Sequence, residues 1–159
     1  MGMSTVTLVP IDPADLEEVR RTGRDLHGHV AEPFTEEGGG SQLRCCLHRS
    51  RPGERLLLIG HAPLAADRPW REVGPVFVHA EACSRPHDAA VFPAWLDDAP
   101  RVLRAYDGSG AMRYAANRVV DAGEGVEAAL RVILDDPEVA EVHVRNLLAQ
   151  CFIARAVRR

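Results

Sequence analysis

Three residues near the middle of the chain, His79, Cys83 and His87, recur at every fourth position and are of types that bind metals. Further sulfur and nitrogen ligands lie earlier in the chain, at Cys45, Cys46 and His48. Zinc takes four tetrahedral protein ligands, or three with an open position. Pro86 interrupts a helix that would stack the three residues on one side, and the chain lacks a C-x-x-C pair. We therefore predict that the protein has no metal site. If it does bind a metal, His79, Cys83 and His87 are the candidate ligands.

Cys83 also suits nucleophilic chemistry, because His79 or His87 could deprotonate its thiol. The alternative is an unreactive thiol that packs as a small apolar side chain, which the sequence C-F-I indicates for Cys151. Vicinal cysteines such as Cys45 and Cys46 rarely form a disulfide with each other. We expect free thiols and, with them, a reducing, cytoplasmic location.

A second set of polar side chains follows the period of two along three predicted strands. Its members are His143 and Arg145 in the strand at 139–146, Arg104 and Tyr106 in the strand at 101–106, and Arg155 in the strand at 151–157, which shares its face with Cys151 and Ile153. If these strands are neighbours, the arginines could hold an anionic substrate while His143 moves a proton. Glu72 or Glu141 could orient the imidazole. The alternative is a solvated polar face, which antiparallel sheets often have.

From these patterns we predict one set of catalytic residues and one set of substrate-binding residues. The catalytic candidates are His143, His79 and Tyr106. The substrate-binding candidates are Arg145, Arg104, Arg155 and Asn146. This choice treats the polar strand faces as one site, with an acid–base group at its centre and cations around it.

The composition is that of a globular protein with an ordinary core. The chain has 159 residues, of which 46% are hydrophobic, and a formal net charge of −4. A chain of this length can fold as one domain without disulfide bonds. The acidic balance gives no sign of nucleic-acid binding, and no apolar run is long enough to cross a membrane. All 19 basic residues are arginine, which is typical of a GC-rich genome.

Local signals predict an α+β fold with a largely antiparallel sheet built of hairpins and two or three helices. Helices are expected after the Asp12-Pro13 cap and over 125–134, where Val126, Ala129, Leu130 and Ile133 form an apolar stripe. Strands are expected at 5–10, 42–49, 55–61, 73–80, 101–106, 112–120, 139–146 and 151–157. The segments 42–49 and 55–61 are predicted to form a hairpin, and 73–80 a central strand. The glycine-rich segment 35–41 is predicted to be a flexible loop of a single domain, 1–159.

Several short motifs resemble a known family. They are E-V-G-P-V-F-V-H-A-E-A-C at 72–83, F-P at 92–93, L-R-A-Y-D at 103–107, V-H-V-R-N at 142–146 and C-F-I-A-R at 151–155. Together they resemble a small bacterial family catalogued as domain of unknown function 1203, over Leu43 to Arg155. Leu43 stands where that family's first motif, P-C-R-x-C-L or P-C-R-x-T-L, has its first cysteine, so no thiol or metal role is carried over from it. The resemblance implies a fold and no established activity.

The chain has no Rossmann or P-loop fingerprint, no G-x-S-x-G and no H-E-x-x-H. We therefore predict a small enzyme without a cofactor, acting on a polar or anionic metabolite by proton transfer at a histidine. An isomerase, lyase, cyclase or hydrolase would fit. A non-catalytic binding module with an arginine-rich face, or a structural zinc protein, remains as an alternative. The expected partner is a small polar or anionic molecule, not nucleic acid or a membrane, and a homodimer through an edge strand is a further alternative.

Overall fold

The computed structural model describes residues 4–159. Within this range the chain forms two α-helices and eight strands in two antiparallel sheets. The strands are β1 (Val6–Val9), β2 (Phe34–Glu36), β3 (Glu54–His61), β4 (Gly74–His79), β5 (Arg101–Tyr106), β6 (Arg118–Val120), β7 (Glu141–Asn146) and β8 (Phe152–Arg158). The helices are α1 (Pro13–Thr22) and α2 (Val126–Leu134), with short 3-10 helices at Ala94–Asp98 and Tyr114–Ala116. The predicted α+β class is confirmed.

The chain divides into two compact units. The five-stranded unit comprises residues 4–9, Pro63–Glu72 and Ala89–Arg159, and its strand order is β1-β8-β7-β5-β6. The three-stranded unit comprises Pro10–Ala62 and Val73–Asp88, with the order β2-β3-β4. This division does not test whether the chain folds as one cooperative domain, so the single domain stays a prediction.

In the five-stranded unit, helix α2 packs against four of the five strands, β1, β5, β7 and β8. The predicted apolar stripe of α2 is buried, because apolar positions at helical spacing fall on one side of the helix. On β7, Val142 and Val144 have no exposed surface. Since side chains alternate along a strand, His143 and Arg145 lie on the opposite face of the sheet from these valines.

In the three-stranded unit, α1 begins and ends where the sequence predicts. The Oδ1 atom of Asp12 accepts a hydrogen bond of 2.9 Å from the N–H of Ala14, and Pro13 occupies the first turn. Gly23 ends the helix at φ 69°, a left-handed conformation that costs glycine little. Leu16 and Val19 are buried in the apolar core of this unit.

The segment 42–49 is a turn, and its prediction as a strand was wrong. Leu47 adopts φ 58°, and its N–H donates to the carbonyl of Leu43 at 2.9 Å, so the chain reverses before a strand can form. The predicted hairpin with 55–61 is wrong for the same reason, because β3 pairs with β2 and β4. Strand β4 therefore lies at the edge of its sheet, not at the centre.

The glycine-rich segment begins as a strand, because Thr35 and Glu36 belong to β2 and pair with β3. After them the chain runs close to a neighbouring turn. A Cβ atom on Gly39 would meet the Cδ of Pro52 at 2.9 Å, and the N–H of Gly40 donates to the carbonyl of Ser50 at 2.8 Å. The glycines thus permit a close backbone approach. The flexibility predicted for this segment stays a prediction.

Candidate metal centre

Two cysteines are presented by the turn that replaces the predicted strand. The turn is held to β4, because the N–H of Arg44 donates to the carbonyl of Phe77 at 3.0 Å. Cys45 and Cys46 follow Arg44 directly, and the N–H of His79 donates to the Sγ of Cys45 at 3.2 Å. Backbone hydrogen bonds therefore fix the two thiols at the carboxyl end of β4.

Four side chains meet at this end of β4 and form what we call the thiol cluster: Cys45, Cys46, His79 and Cys83. One nitrogen or sulfur atom from each lies within 4.8 Å of all the others. The Nδ1 atom of His79 is 3.3 Å from the Sγ of Cys83, 3.5 Å from that of Cys45 and 3.9 Å from that of Cys46. Tetrahedral zinc with ordinary bond lengths would separate its nitrogen and sulfur ligands by about 3.6 Å. The three nitrogen–sulfur distances are therefore close to those of a tetrahedral zinc site.

The second nitrogen of His79 contacts a carboxylate. Its Nε2 lies 3.2 Å from the Oε1 of Glu54, at the start of β3. Burial alone would raise the pKa of Glu54, but the N–H of Arg51 and the ring of His79 hold that pKa below its ordinary value. An ionised carboxylate accepts a hydrogen bond from an N–H at Nε2, and this contact orients the ring so that Nδ1 faces the thiols. Metal-bound histidines commonly have such a carboxylate partner.

The three thiols differ in pKa. Hydrogen bonds from Cys45 and Cys46, and then from His79, lower the pKa of Cys83. Hydrogen bonding to the other two thiols raises the pKa of Cys45. At Cys46 the hydrogen bond with Cys45 lowers the pKa, but that with Cys83 and burial outweigh it and raise it to about 11. Cys83 is therefore the most acidic of the three thiols and the one best suited to bind a soft cation or to act as a nucleophile.

The thiol cluster differs from the candidate metal ligands of the sequence in two ways. His79 and Cys83 belong to it, but His87 does not. The loop after β4 is not a helix, so the regular spacing does not align the three residues. His48 also lies outside the cluster, although its backbone N–H donates a hydrogen bond to the Sγ of Cys46. Glu54 was missed, because a glutamate in the turn sequence R-P-G-E carries no signal of a histidine partner.

The predicted polar set of the five-stranded unit converges only in part. The ring centroids of Tyr106 and His143 are 4.6 Å apart. The Oε2 atom of Glu72 lies 3.3 Å from Arg104 Nη1 and 3.6 Å from Arg145 Nη2. These five residues lie together, whereas His79 belongs to the thiol cluster of the other unit.

Two of the predicted substrate-binding residues have partners within the fold. Arg155 pairs with Glu141 at 3.1 Å. The Oδ1 of Asn146 accepts a 2.7 Å hydrogen bond from Arg101, and its Nδ2 lies 2.9 Å from the Sγ of Cys151. These contacts give both residues a structural task, and their role in substrate binding stays a prediction.

His143 is fully buried, so this part of the sheet face is not solvated. Its Nε2 lies 3.7 Å from the Oε1 of Glu141, and neither ring nitrogen has a hydrogen-bond partner among residues 4–159. Burial lowers the pKa of the imidazole, against the opposing effect of Glu141, and favours the neutral ring. Proton transfer at His143 stays a prediction.

The fold and the thiol cluster define a small α+β protein with a three-cysteine, one-histidine cluster. The chain belongs to the family described as "Protein of unknown function (DUF1203)", whose profile matches residues 40–159. The predicted family resemblance is thus confirmed, and the matched range includes every residue of the thiol cluster. No curated protein and no solved structure matches the chain. Neither helix within residues 4–159 is long and apolar enough to span a membrane.

Proposed function

We propose that the protein binds one Zn²⁺ ion through Cys45, Cys46, Cys83 and His79. The observation that carries this proposal is the grouping of four ligand atoms within 4.8 Å of one another. Three sulfurs and an imidazole form a soft ligand set, which favours zinc over magnesium or calcium. Four protein ligands close the tetrahedron, as in structural sites, whereas catalytic sites keep a position open.

The proposed role of the ion is to hold the three-stranded unit together. The ligands come from two separated segments, the turn at 43–47 and the end of β4 with its following loop. Cys46 is fully buried, whereas Cys83 is only half-buried, so we propose that the ion enters past Cys83. The four cysteines are free thiols, so we also propose a reducing compartment such as the cytoplasm.

The direct test is the zinc content of protein without a histidine tag. After incubation with one equivalent of zinc under reducing conditions and desalting, the wild type should retain about one ion per chain. Cys83→Ser and His79→Gln should retain less than about a tenth of that, because a structural site needs its full ligand set. Cys151→Ser and His87→Gln are matched controls outside the cluster and should bind like the wild type. A wild type without zinc, or a Cys83→Ser variant that binds like it, would refute the proposal.

Zinc binding should also become tighter as the pH rises. The raised pKa values of Cys45 and Cys46 keep both thiols protonated near neutral pH, whereas the pKa of Cys83 is lowered. Binding must then release about two protons, and the apparent Kd should fall by roughly 100-fold per pH unit. Calorimetry in buffers of different ionisation enthalpy measures the released protons. Binding that does not change between pH 6 and pH 8 would contradict thiol ligation.

A further inference from the structure

We propose a second site in the five-stranded unit, where Arg104 and Arg145 bind a small oxyanion, a carboxylate or a phosphate group. The two guanidinium groups share one oxygen, Oε2 of Glu72, at 3.3 and 3.6 Å. Two positive charges thus face one negative charge. The proposal is independent of the zinc site, because none of these residues belongs to the thiol cluster.

The two cations are held close together with little access to water. The side chain of Arg145 is 8% exposed and that of Arg104 is 20% exposed. Burial lowers the pKa of Arg145, and the like charge of Arg104 lowers it further. The buried Nε of Arg145 has no hydrogen-bond partner among residues 4–159. Such a pair gains most from an additional anion.

Glu72 is a poor permanent partner for these arginines. Its side chain is 57% exposed, so water competes for the carboxylate. Both of its contacts are longer than the roughly 2.7–2.9 Å of a charge-assisted hydrogen bond. A ligand oxyanion could offer each guanidinium a separate oxygen in the planar geometry that arginine prefers. We infer that Glu72 occupies the ligand's position and competes with it.

Gln150 supports the two guanidinium groups from the loop after β7. Its carbonyl accepts a 2.8 Å hydrogen bond from Nη1 of Arg145, and its Oε1 lies 3.4 Å from Nη2 of Arg104. Gln150 adopts φ 61°, a left-handed conformation that costs a residue with a side chain about 1 kcal/mol or more. The chain therefore bears local strain where it holds the two cations, which is a common feature of binding sites.

The Tyr106 side chain lies beside the two arginines and is almost fully buried. Burial raises its pKa, while the charges of Arg145 and Arg104 oppose that rise. Its ring packs on His143, whose nitrogens lack partners among the described residues. An oxyanion on the arginines would therefore lie near the pair predicted for proton transfer. Anion binding does not depend on that chemistry.

The experiment is a titration with inorganic phosphate at constant ionic strength, followed by the NMR signals of the arginine Nε–H groups. The wild type should show saturable shifts. Glu72→Gln removes the competing carboxylate and should tighten binding by roughly 3–10-fold, whereas Arg104→Gln should weaken it by at least about tenfold. A gain of affinity in Glu72→Gln cannot come from misfolding. A parallel titration with acetate shows whether carboxylates bind as well as phosphate.

The matched controls are Glu138→Gln and Arg113→Gln, which make the same charge changes at an exposed ion pair of the same unit. Neither should alter phosphate binding. If Glu138→Gln tightened binding as much as Glu72→Gln, the effect would be general electrostatics and the proposed site would be refuted. Absence of saturation in both the wild type and Glu72→Gln would refute it equally.

Discussion

Removal of zinc is expected to lower the melting temperature of the protein by roughly 10 °C. An ion present at 1,000 times its Kd stabilises the folded state by about 4 kcal/mol. In a chain of this length, each kcal/mol corresponds to roughly 2–4 °C. The physical reason is local, because the turn bearing Cys45 and Cys46 pairs with β4 through an isolated β-bridge and not through a continuous ladder. Without the ion, the Cys83 thiol in the loop after β4, whose pKa is lowered, has no metal cation beside it.

The measurement is thermal unfolding by circular dichroism, with zinc-loaded protein and with protein stripped by a strong chelator under reducing conditions. His79→Gln should melt at the same temperature in both preparations, because it lacks a complete zinc site and the chelator has no bound ion to remove. Cys151→Ser should show the same difference as the wild type. A wild-type difference below about 2 °C, with zinc removal verified, would mean that the ion does not stabilise the fold.

Replacement of Arg101 with methionine is expected to lower the free energy of unfolding by about 3 kcal/mol. The side chain of Arg101 is 2% exposed. It donates to the carbonyl of Leu96 at 2.9 Å, to Asn146 Oδ1 at 2.7 Å and to Asp98 Oδ1 at 2.9 Å. Methionine fills a similar volume but leaves these acceptors without their donor. The penalty comes mainly from the buried acceptors, since the half-exposed Asp98 can be solvated by water.

The control is Arg113→Met, at an arginine of the same unit that is 40% exposed and pairs with the exposed Glu138. Exposed ion pairs contribute about 0–1 kcal/mol, so this variant should remain within that range of the wild type. Urea unfolding of the zinc-loaded proteins gives both values. Equal stability of the two variants would show that burial of Arg101 adds nothing.

The sequence by itself determined the elements whose signals are local. The Asp12-Pro13 cap and Gly23 set the ends of α1, and the apolar stripe of α2 follows the helical period. The alternation in β7 separated Val142 and Val144 from His143 and Arg145. These signals could be read because propensity, capping and periodicity act between residues a few positions apart. The same reasoning gave the α+β class.

Tertiary contacts determine the conformation of the turn at 42–49. Its composition is compatible with a strand, and leucine rarely adopts the positive φ that Leu47 has. Contacts with β4 hold the turn in place, and no local pattern in the sequence encodes them. The burial of Arg101 was unpredictable for a similar reason, since its partners lie on the 3-10 helix at Ala94–Asp98 and on β7.

The sequence supplied the residue types of the thiol cluster, but only the tertiary structure selected its members. Cys45 and His79 are 34 residues apart in sequence. The β3–β4 register pairs Leu56 with His79, and Glu54 at the start of β3 reaches the imidazole of His79. Spacing alone suggested His87, which lies outside the cluster. A metal site requires atoms to converge in space, and strand pairing together with the turn determines that convergence.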